Sequence, residues 1–367
     1  MRRTQHFIPL KLRTFLQIFA AVAVVLSLVP LIAVDYWWIR MFDFPHIQLT
    51  ILTFVAFVVY FMRFDIKKWQ DYTFIVIIAA CLVFQYIKIH PYTPYAKLAV
   101  LDNTKLNESE SISIYTANVF QNNKNAELFI RDYKAKDPDV LLLVETHRPW
   151  MKEIRKSLPA AYKFRVEVPL NNTYGMLLYS KLELVNPQVK YLVDDSIPSI
   201  HSKLVLRSGD TIQIYTIHPT PPMPQHNPSS SDRDAEMMKI ANLSRESSLP
   251  VIVMGDFNDV AWSATTSLFE NVGELLDVRK GRGFYNTFNV NNPILRWPLD
   301  HIFVSSEFRV IELKLGEEIN SDHFPTYTNL SFEPDGKDMQ LAPPPTEDEL
   351  RRALEQAEGV QRVTLDM

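Results

Sequence analysis

One cysteine in 367 residues, Cys81, is too few for a disulfide within the chain, and it lies in an apolar run. Its place removes cysteine zinc sites and a cysteine nucleophile from the polar remainder, and leaves the redox compartment open. Bulk positive charge is also missing. Residues 1–100 hold ten Lys/Arg against four Asp/Glu, an excess of +6, so the total of −4 leaves −10 for residues 101–367. Proteins that grip long nucleic acid non-specifically draw affinity from neutralised phosphates and released counterions. Residues 101–367 lack that bulk signature, although a local basic groove is compatible with it. No internal repeat or long low-complexity block occurs. What is present is 47% apolar residues, enough for a sizeable core, and a length that allows one large domain with an accessory region.

Three apolar runs without an ionisable residue open the sequence, at 14–34, 47–62 and 72–87. A membrane span takes about 20 apolar residues, which the first run supplies and the others reach with their flanks. A cleavable signal peptide is the alternative for the first run; the two further runs and the lack of a small-residue cleavage pattern weigh against it. Three transmembrane helices are therefore expected within residues 1–89. Arg2, Arg3, Lys11 and Arg13 precede the first run, and Arg63, Lys67 and Lys68 lie between the second and third. The first outer loop offers only Arg40 beside Asp35 and Asp43. This asymmetry predicts a cytoplasmic N-terminus. Three crossings would then give a multi-pass protein of the inner (cytoplasmic) membrane, with its catalytic domain periplasmic or extracellular and the lipid bilayer as a partner. Tyr36, Trp37 and Trp38 fit an interfacial aromatic anchor.

Residues 90–110, proline-containing and then polar, read as a linker. Short β-type runs follow at 111–116, 140–144, 175–179, 204–206, 212–217, 251–254 and 302–304, with a hairpin turn at Ser208-Gly209-Asp210. Helices are predicted at 125–136, at 232–246 with Ser231 as N-cap, and at 263–272. Strands alternate with helices in places and form hairpins in others, so an α/β or α+β domain with mixed sheets is expected over 111–332. Residues 333–367 form a charged tail with Pro343-Pro344-Pro345 and a helix-like stretch at 346–358.

Polar residues stand at the ends of these strands. SISIYTAN ends at Asn118, DVLLLVE at Glu145, TIQIYTIH at His218, VIVMGDFN at Asp256 and Asn258, PLDHIFV begins with Asp300, and SDHFP holds Asp322 and His323. Strand ends converge on one rim of a sheet, where distant segments can build a single site. Hydrolysis of a phosphate ester asks for a hard cation, a carboxylate to position water, neutral donors for the phosphoryl oxygens and a proton source for the leaving group. This set contains each of them. Oxygen donors without cysteine favour Mg2+ or Mn2+ over zinc.

Asn118, Glu145, His218, the Gly255-Asp256-Phe257-Asn258 run, Asp300 and the Ser321-Asp322-His323 run resemble, in order, the endonuclease/exonuclease/phosphatase superfamily that includes deoxyribonuclease I, exonuclease III and neutral sphingomyelinases. The resemblance covers about residues 111–332. It implies a four-layer α/β/β/α sandwich of two mixed β-sheets, preceded here by three transmembrane helices, and the apolar N-terminal region resembles a membrane-bound bacterial branch. It also implies roles: Glu145 on the metal with Asn118 and Asp322 in support, and Asp256 orienting or deprotonating the attacking water. Asn258 would bond the scissile phosphate, His323 held by Asp300 would stabilise the transition state or transfer a proton, and His218 would contact phosphate or the leaving group.

Singly, each residue has an ordinary reading: Glu145 as a strand-end surface charge, Asn118 as a turn residue, His218 and Asp300 as structural groups. Jointly and in order they favour a site. His301, next to Asp300 in a strand, should face the opposite side of the sheet and is left out. Arg296, Trp297, His147 and Arg148 stay open between substrate contact and loop packing. The expected function is a membrane-anchored, divalent-metal-dependent phosphoesterase acting on nucleic acid or a phospholipid headgroup. The alternative is a catalytically degenerate domain that binds phosphorylated ligands or a protein partner.

Overall fold

The computed structural model describes residues 10–224, 227–359 and 363–365. The chain divides into two units, one of residues 1–34, 38–91 and 362–367, the other of residues 35–37 and 92–361.

The first unit holds α1 (Leu10–Leu28), β1 (Ile32–Val34), α3 (His46–Phe61) and α4 (Trp69–Ile89), with the short α2 (Trp37–Arg40) in between. Ala20, Ala56, Tyr60 and Ile78 pack at its centre, where small side chains let the helices approach. Polar groups are buried with them: the Tyr60 hydroxyl donates to Asp71 Oδ1 at 2.9 Å, and Asp71 Oδ2 accepts the Asp65 N–H at 3.0 Å. Phe15, Ile18, Phe54 and Ile87 stay exposed, and nothing in the structure shows what covers them.

The three expected spans are not met. Among the described residues one helix, Trp69–Tyr92, is long and apolar enough to cross a membrane, a property that core helices and signal sequences share; Thr14–Leu28 and His46–Phe61 are shorter. The physical reason is where the helices stop. The first ends at Leu28, and Pro30 lies in a 3-10 turn that leads into the extended Ile32–Val34. The 16 residues of α3 rise only about 24 Å, short of a hydrocarbon core of about 30 Å. The multi-pass anchor, the lipid bilayer as partner, and the inner-membrane placement with an external catalytic domain lose the observation they rest on. Arg2 and Arg3, part of the orientation argument, lie outside the described residues.

In the second unit the elements are β2 (Ser111–Asn118), α5 (Glu127–Lys136), β3 (Val140–Val144), α6 (Arg148–Ser157), β4 (Phe164–Val168), β5 (Met176–Ser180), β6 (Glu183–Lys190), β7 (Ser199–Val205), β8 (Thr211–Ile217), α7 (Ser231–Arg245), β9 (Val251–Asp256), α8 (Ala264–Gly273), β10 (Leu276–Asp277), β11 (Asp300–Val304), β12 (Phe308–Leu315), β13 (Thr326–Phe332) and α9 (Glu347–Ala357). The last strand, β14 (Val363–Leu365), belongs to the first unit and pairs antiparallel with β1. Two six-stranded sheets result, in the orders β12-β13-β2-β3-β5-β4 and β10-β11-β9-β8-β7-β6. Each has one parallel pair, β2 with β3 and β8 with β9, and antiparallel neighbours elsewhere.

Strand periodicity sorts the side chains into layers. Ile112, Ile114, Val140 and Leu142 of one sheet meet Ile212, Ile214, Ile252 and Met254 of the other in the core between the sheets. The alternate residues Tyr115, Ala117, Leu141 and Leu143 pack outward on Phe129 and Tyr133 of α5 and Trp150 and Ile154 of α6. On the other side Tyr215, Val253 and Phe303 pack on Met237 and Ile240 of α7, Phe269 of α8 and Ala353 of α9. The result is an α/β/β/α sandwich of mixed sheets.

Local turns and caps set the ends of these elements. Gly209 takes φ +93° in the turn between β7 and β8. Ser263 caps α8 by accepting the Thr266 N–H at 2.9 Å. Thr346 and Glu349 form a reciprocal capping box on α9. The start of α7 is displaced by one residue, with Ser230 as N-cap and Ser231 already helical. Within 90–110, Val100 is fully buried in the core between the sheets.

Candidate active site

The parity that makes the core also makes the site. Asn118 continues the inward series of Ile112 and Ile114, Asp256 continues Ile252 and Met254, and Asp300 precedes Ile302 on the inward face of β11. His218 follows Ile212 and Ile214 in the same way. Because β2–β3 and β8–β9 are parallel, each pair delivers both carboxyl ends to the same rim. Asp300, at the start of the antiparallel β11, pairs directly with Asp256.

Two close approaches fix the rim. Gly255 has φ +149°, and a Cβ there would lie 2.0 Å from the Ile217 carbonyl oxygen. A Cβ on Gly175 would lie 1.7 Å from the Thr146 carbonyl oxygen, directly behind Glu145. Glu145 and Asn258 occupy the left-handed region at φ 57° and 51°, which Asn tolerates and Glu adopts only when surroundings impose it.

Asn118 bridges the sheets. Its Nδ2 donates to Glu145 Oε1 at 2.9 Å and to Asp256 Oδ2 at 2.9 Å, while its Oδ1 accepts the Phe120 N–H at 3.0 Å. Glu145 Oε2 accepts the Gln121 N–H at 3.2 Å. His323 is buried, with Nδ1 2.8 Å from Asp300 Oδ2 and Nε2 3.7 Å from Asp256 Oδ2. His218 Nε2 lies 3.9 Å from the same Asp256 oxygen. Asn258 donates its backbone N–H to Asp256 Oδ1 at 3.0 Å and its Nδ2 to the Pro219 carbonyl at 2.9 Å. Asp322 is half-buried, close enough to His323 for its charge to favour the imidazolium.

The electrostatics call for a cation. Burial pushes the Glu145 carboxyl up from its ordinary value, against the bonds from Asn118 and Gln121. Burial also raises Asp256, and the charge of Asp300 adds to that while His323 and His218 oppose it. Although burial disfavours its charged form, the carboxylates of Asp300 and Asp256 bring His323 up to about 10. Asp256, Asp300 and His323 each offer one ligand atom, His323 only as the neutral imidazole, all within 4.8 Å of one another, a group consistent with a divalent cation. Buried carboxylates that resist ionisation on their own, with oxygen donors predominating, fit a hard divalent ion. The Glu145, Asn118 and Asp322 set expected from the sequence lies partly against this group, Glu145 and Asn118 reaching Asp256 through the shared amide.

The endonuclease/exonuclease/phosphatase family model matches residues 115–323, more than half of the chain. The chain belongs to this family. It is a metal-dependent phosphoric ester hydrolase. The match begins at residue 115, after the N-terminal helices, and those helices supply one of spanning length rather than three, so the membrane-bound branch is not the one indicated. Among curated proteins none matches the chain. Solved structures that resemble it include D. rerio TDP2 complexed with a single-strand DNA product, at 19% identity and TM-score 0.49 over 60% of this chain and 99% of that one. The human Nocturnin catalytic domain gives 17% identity and TM-score 0.47 over 62% and 96%. A Bacteroides thetaiotaomicron mannosyl-6-phosphatase gives 19% identity and TM-score 0.46 over 60% and 100%.

His301 faces away, as alternation requires, and its Nε2 lies 2.8 Å from the Asp259 carbonyl oxygen. Arg296 bonds the Asn289 and Val290 carbonyls at 3.2 and 2.9 Å, a loop-packing arrangement, and Trp297 pairs with Phe288. His147 is the N-cap residue of α6 and lines a cleft of about 540 Å3 with Gln121, Lys124 and Trp150, whereas Arg148 is exposed. Sequence reasoning passed over Gln121, Tyr174, Arg233 and Phe288. Gln121 supports Glu145 through a backbone bond that no side-chain type reveals. Tyr174 and Phe288 set their rings 5.4 and 5.0 Å from those of His218 and His323, contacts between segments far apart in sequence.

Proposed function

We propose that the chain hydrolyses short phosphodiesters or phosphomonoesters with Mg2+, or Mn2+ in its place, and that Asp256 orients and deprotonates the attacking water. Glu145 holds the cation, supported by Asn118 and Asp322. When bound, the cation supplies positive charge against the phosphoryl oxygens. Asn258 has one amide N–H on Pro219 and a second to offer a non-bridging oxygen. His323, kept protonated by Asp300, places its Nε2 where negative charge develops. His218, with Nε2 3.9 Å from Asp256 Oδ2, contacts the phosphate or leaving group. The observation that carries this reading is the convergence on one carboxylate: Asp256 Oδ2 has Asn118 Nδ2 at 2.9 Å, His323 Nε2 at 3.7 Å and His218 Nε2 at 3.9 Å. The charge of −10 over residues 101–367 favours short substrates over long polyanions.

The test is hydrolysis of bis(p-nitrophenyl) phosphate with Mg2+ and with EDTA, by wild type and Asp256→Ala. Chelation is expected to abolish turnover, and the substitution to lower kcat by about 10²–10⁴-fold, the usual yield of a positioned base. Turnover that survives both would overturn the mechanism. A dinucleotide is expected to exceed long duplex DNA in kcat/KM per phosphodiester.

A further inference from the structure

Asn258 is held at three points. Its N–H donates to Asp256 Oδ1 at 3.0 Å, its side chain donates to the Pro219 carbonyl at 2.9 Å, and its own carbonyl accepts from Arg233 Nη1 at 3.0 Å. The third contact comes from outside the strand-end motifs, from the first turn of α7.

We infer that Arg233 is a positioning residue for the hydrolysis, fixing the left-handed backbone of Asn258 so that the Asn258 amide and the Asp256 carboxylate keep their places. The inference rests on the role proposed above for Asn258.

The guanidinium has little freedom. Arg233 is 2% exposed. Its Nε and Nη2 lie 2.9 and 2.8 Å from Asp234 Oδ1, and Nη1 lies 3.2 Å from Asp259 Oδ1. Both acids are themselves tied down. Asp234 Oδ2 accepts the Ser230 hydroxyl at 2.9 Å, and Asp259 Oδ2 accepts the Ser263 hydroxyl at 2.6 Å, at the cap of α8. Two helix starts thus orient one planar fork, whose Nη1 also donates to the Asn258 carbonyl. A buried ion pair is weak as a device for stability alone, since well-packed apolar groups do as well. A rigid, always charged donor aimed at one carbonyl is suited to holding geometry. That hold keeps the Asn258 amide on the Pro219 carbonyl and its N–H on Asp256.

The experiment is a double-mutant cycle on the full chain, with bis(p-nitrophenyl) phosphate and Mg2+, measuring kcat, KM and thermal unfolding for wild type, Arg233→Lys, Asn258→Ala and the double variant. Lysine keeps the charge and loses the fork. Arg233→Lys is expected to lower kcat by about 10–10²-fold, the scale of small misplacements, with KM changed by less than roughly twofold. The double variant is expected to be no slower than Asn258→Ala alone, since residues acting through one another do not add. Losses that multiply in the double variant, or a folded Arg233→Lys with wild-type kcat beside an impaired Asn258→Ala, overturn the inference while leaving the reading of the site standing. A silent Asn258→Ala overturns both. Should Arg233→Lys fail to fold, Asp234→Asn loosens the same guanidinium with an isosteric group. It is expected to show a smaller kcat loss at unchanged KM, and a folded Asp234→Asn with wild-type kcat counts against the inference.

Discussion

A carboxyl group surrounded by protein keeps its proton to higher pH than one in water, because the ion loses hydration that nothing replaces. Glu236 on α7 is such a group, 3% exposed, with Oε1 lacking a hydrogen-bond partner among the described residues. Burial raises it to about 8, Lys239 opposing and Asp194 adding to the shift. Its folded value lies above the ordinary 4.5, so the folded state binds the proton more tightly than the unfolded chain does. Stability from this residue is full below about pH 4.5 and is lost progressively as pH rises to about 8, beyond which the loss is constant. Glu236→Gln is expected to remove that slope. In urea unfolding the variant should match wild type near pH 4.5 and exceed it at pH 8.5 by roughly 2–5 kcal/mol, at about 1.4 kcal/mol per unit. Parallel stability profiles for the two proteins would show that Glu236 ionises freely in the fold.

At the scale of elements, the parallel pairs are the device that gathers the site, and β8–β9 is the tighter one to disturb. A Cβ at position 255 has no room against Ile217, and φ +149° is unfavourable for any side chain. Gly255→Ala is expected to destabilise the domain by about 2–4 kcal/mol, the sum of strain and a displaced strand end, and to lower kcat by moving Asp256. Equilibrium unfolding and turnover of the same preparation check both; wild-type values in both would mean the strands separate freely there. These paired strands were legible in sequence for the same reason they matter. VLLLV and VIVMGD are buried on both faces and read as continuous apolar runs ending in polar residues. The facing of His301 followed from alternation alone. Strands β4, β6, β10, β12 and β13 were not legible. ELVNPQVK is mostly exposed, carries Pro187 and breaks register between Val185 and Gln188, as edge strands do. TYTNLSF is short on aliphatic residues because Thr326 and Thr328 fill its inward positions. Helix α6 was missed because its apolar stripe reduces to Trp150 and Ile154.

For the whole molecule, composition misled where length and punctuation decide. Three apolar runs were visible, but only a folded chain tells that the first helix stops before Pro30 and that the second gains no length from its flanks. Composition served better for the site, since the absence of cysteine from the hydrolase unit leaves oxygen and imidazole donors as its metal chemistry. Charge then links the cation to folding. Glu145 and Asp256 are both raised by burial, so the protein without a cation holds carboxyl groups that gain from positive charge, and the unfolded chain offers no such cluster. A ligand that binds only the folded state adds stability in proportion to the logarithm of its concentration. Mg2+ at about 100 times its Kd is therefore expected to add about 2.7 kcal/mol, or roughly 5–10 °C in Tm for a domain of this size. Glu145→Gln should remove most of that rise while Na+ at matched ionic strength reproduces none of it. Because the readout is unfolding rather than turnover, it holds whichever phosphoester is the substrate. A Tm that ignores Mg2+ in the wild type, or that rises equally in Glu145→Gln, would place the cation away from the carboxylates that Asn118 joins.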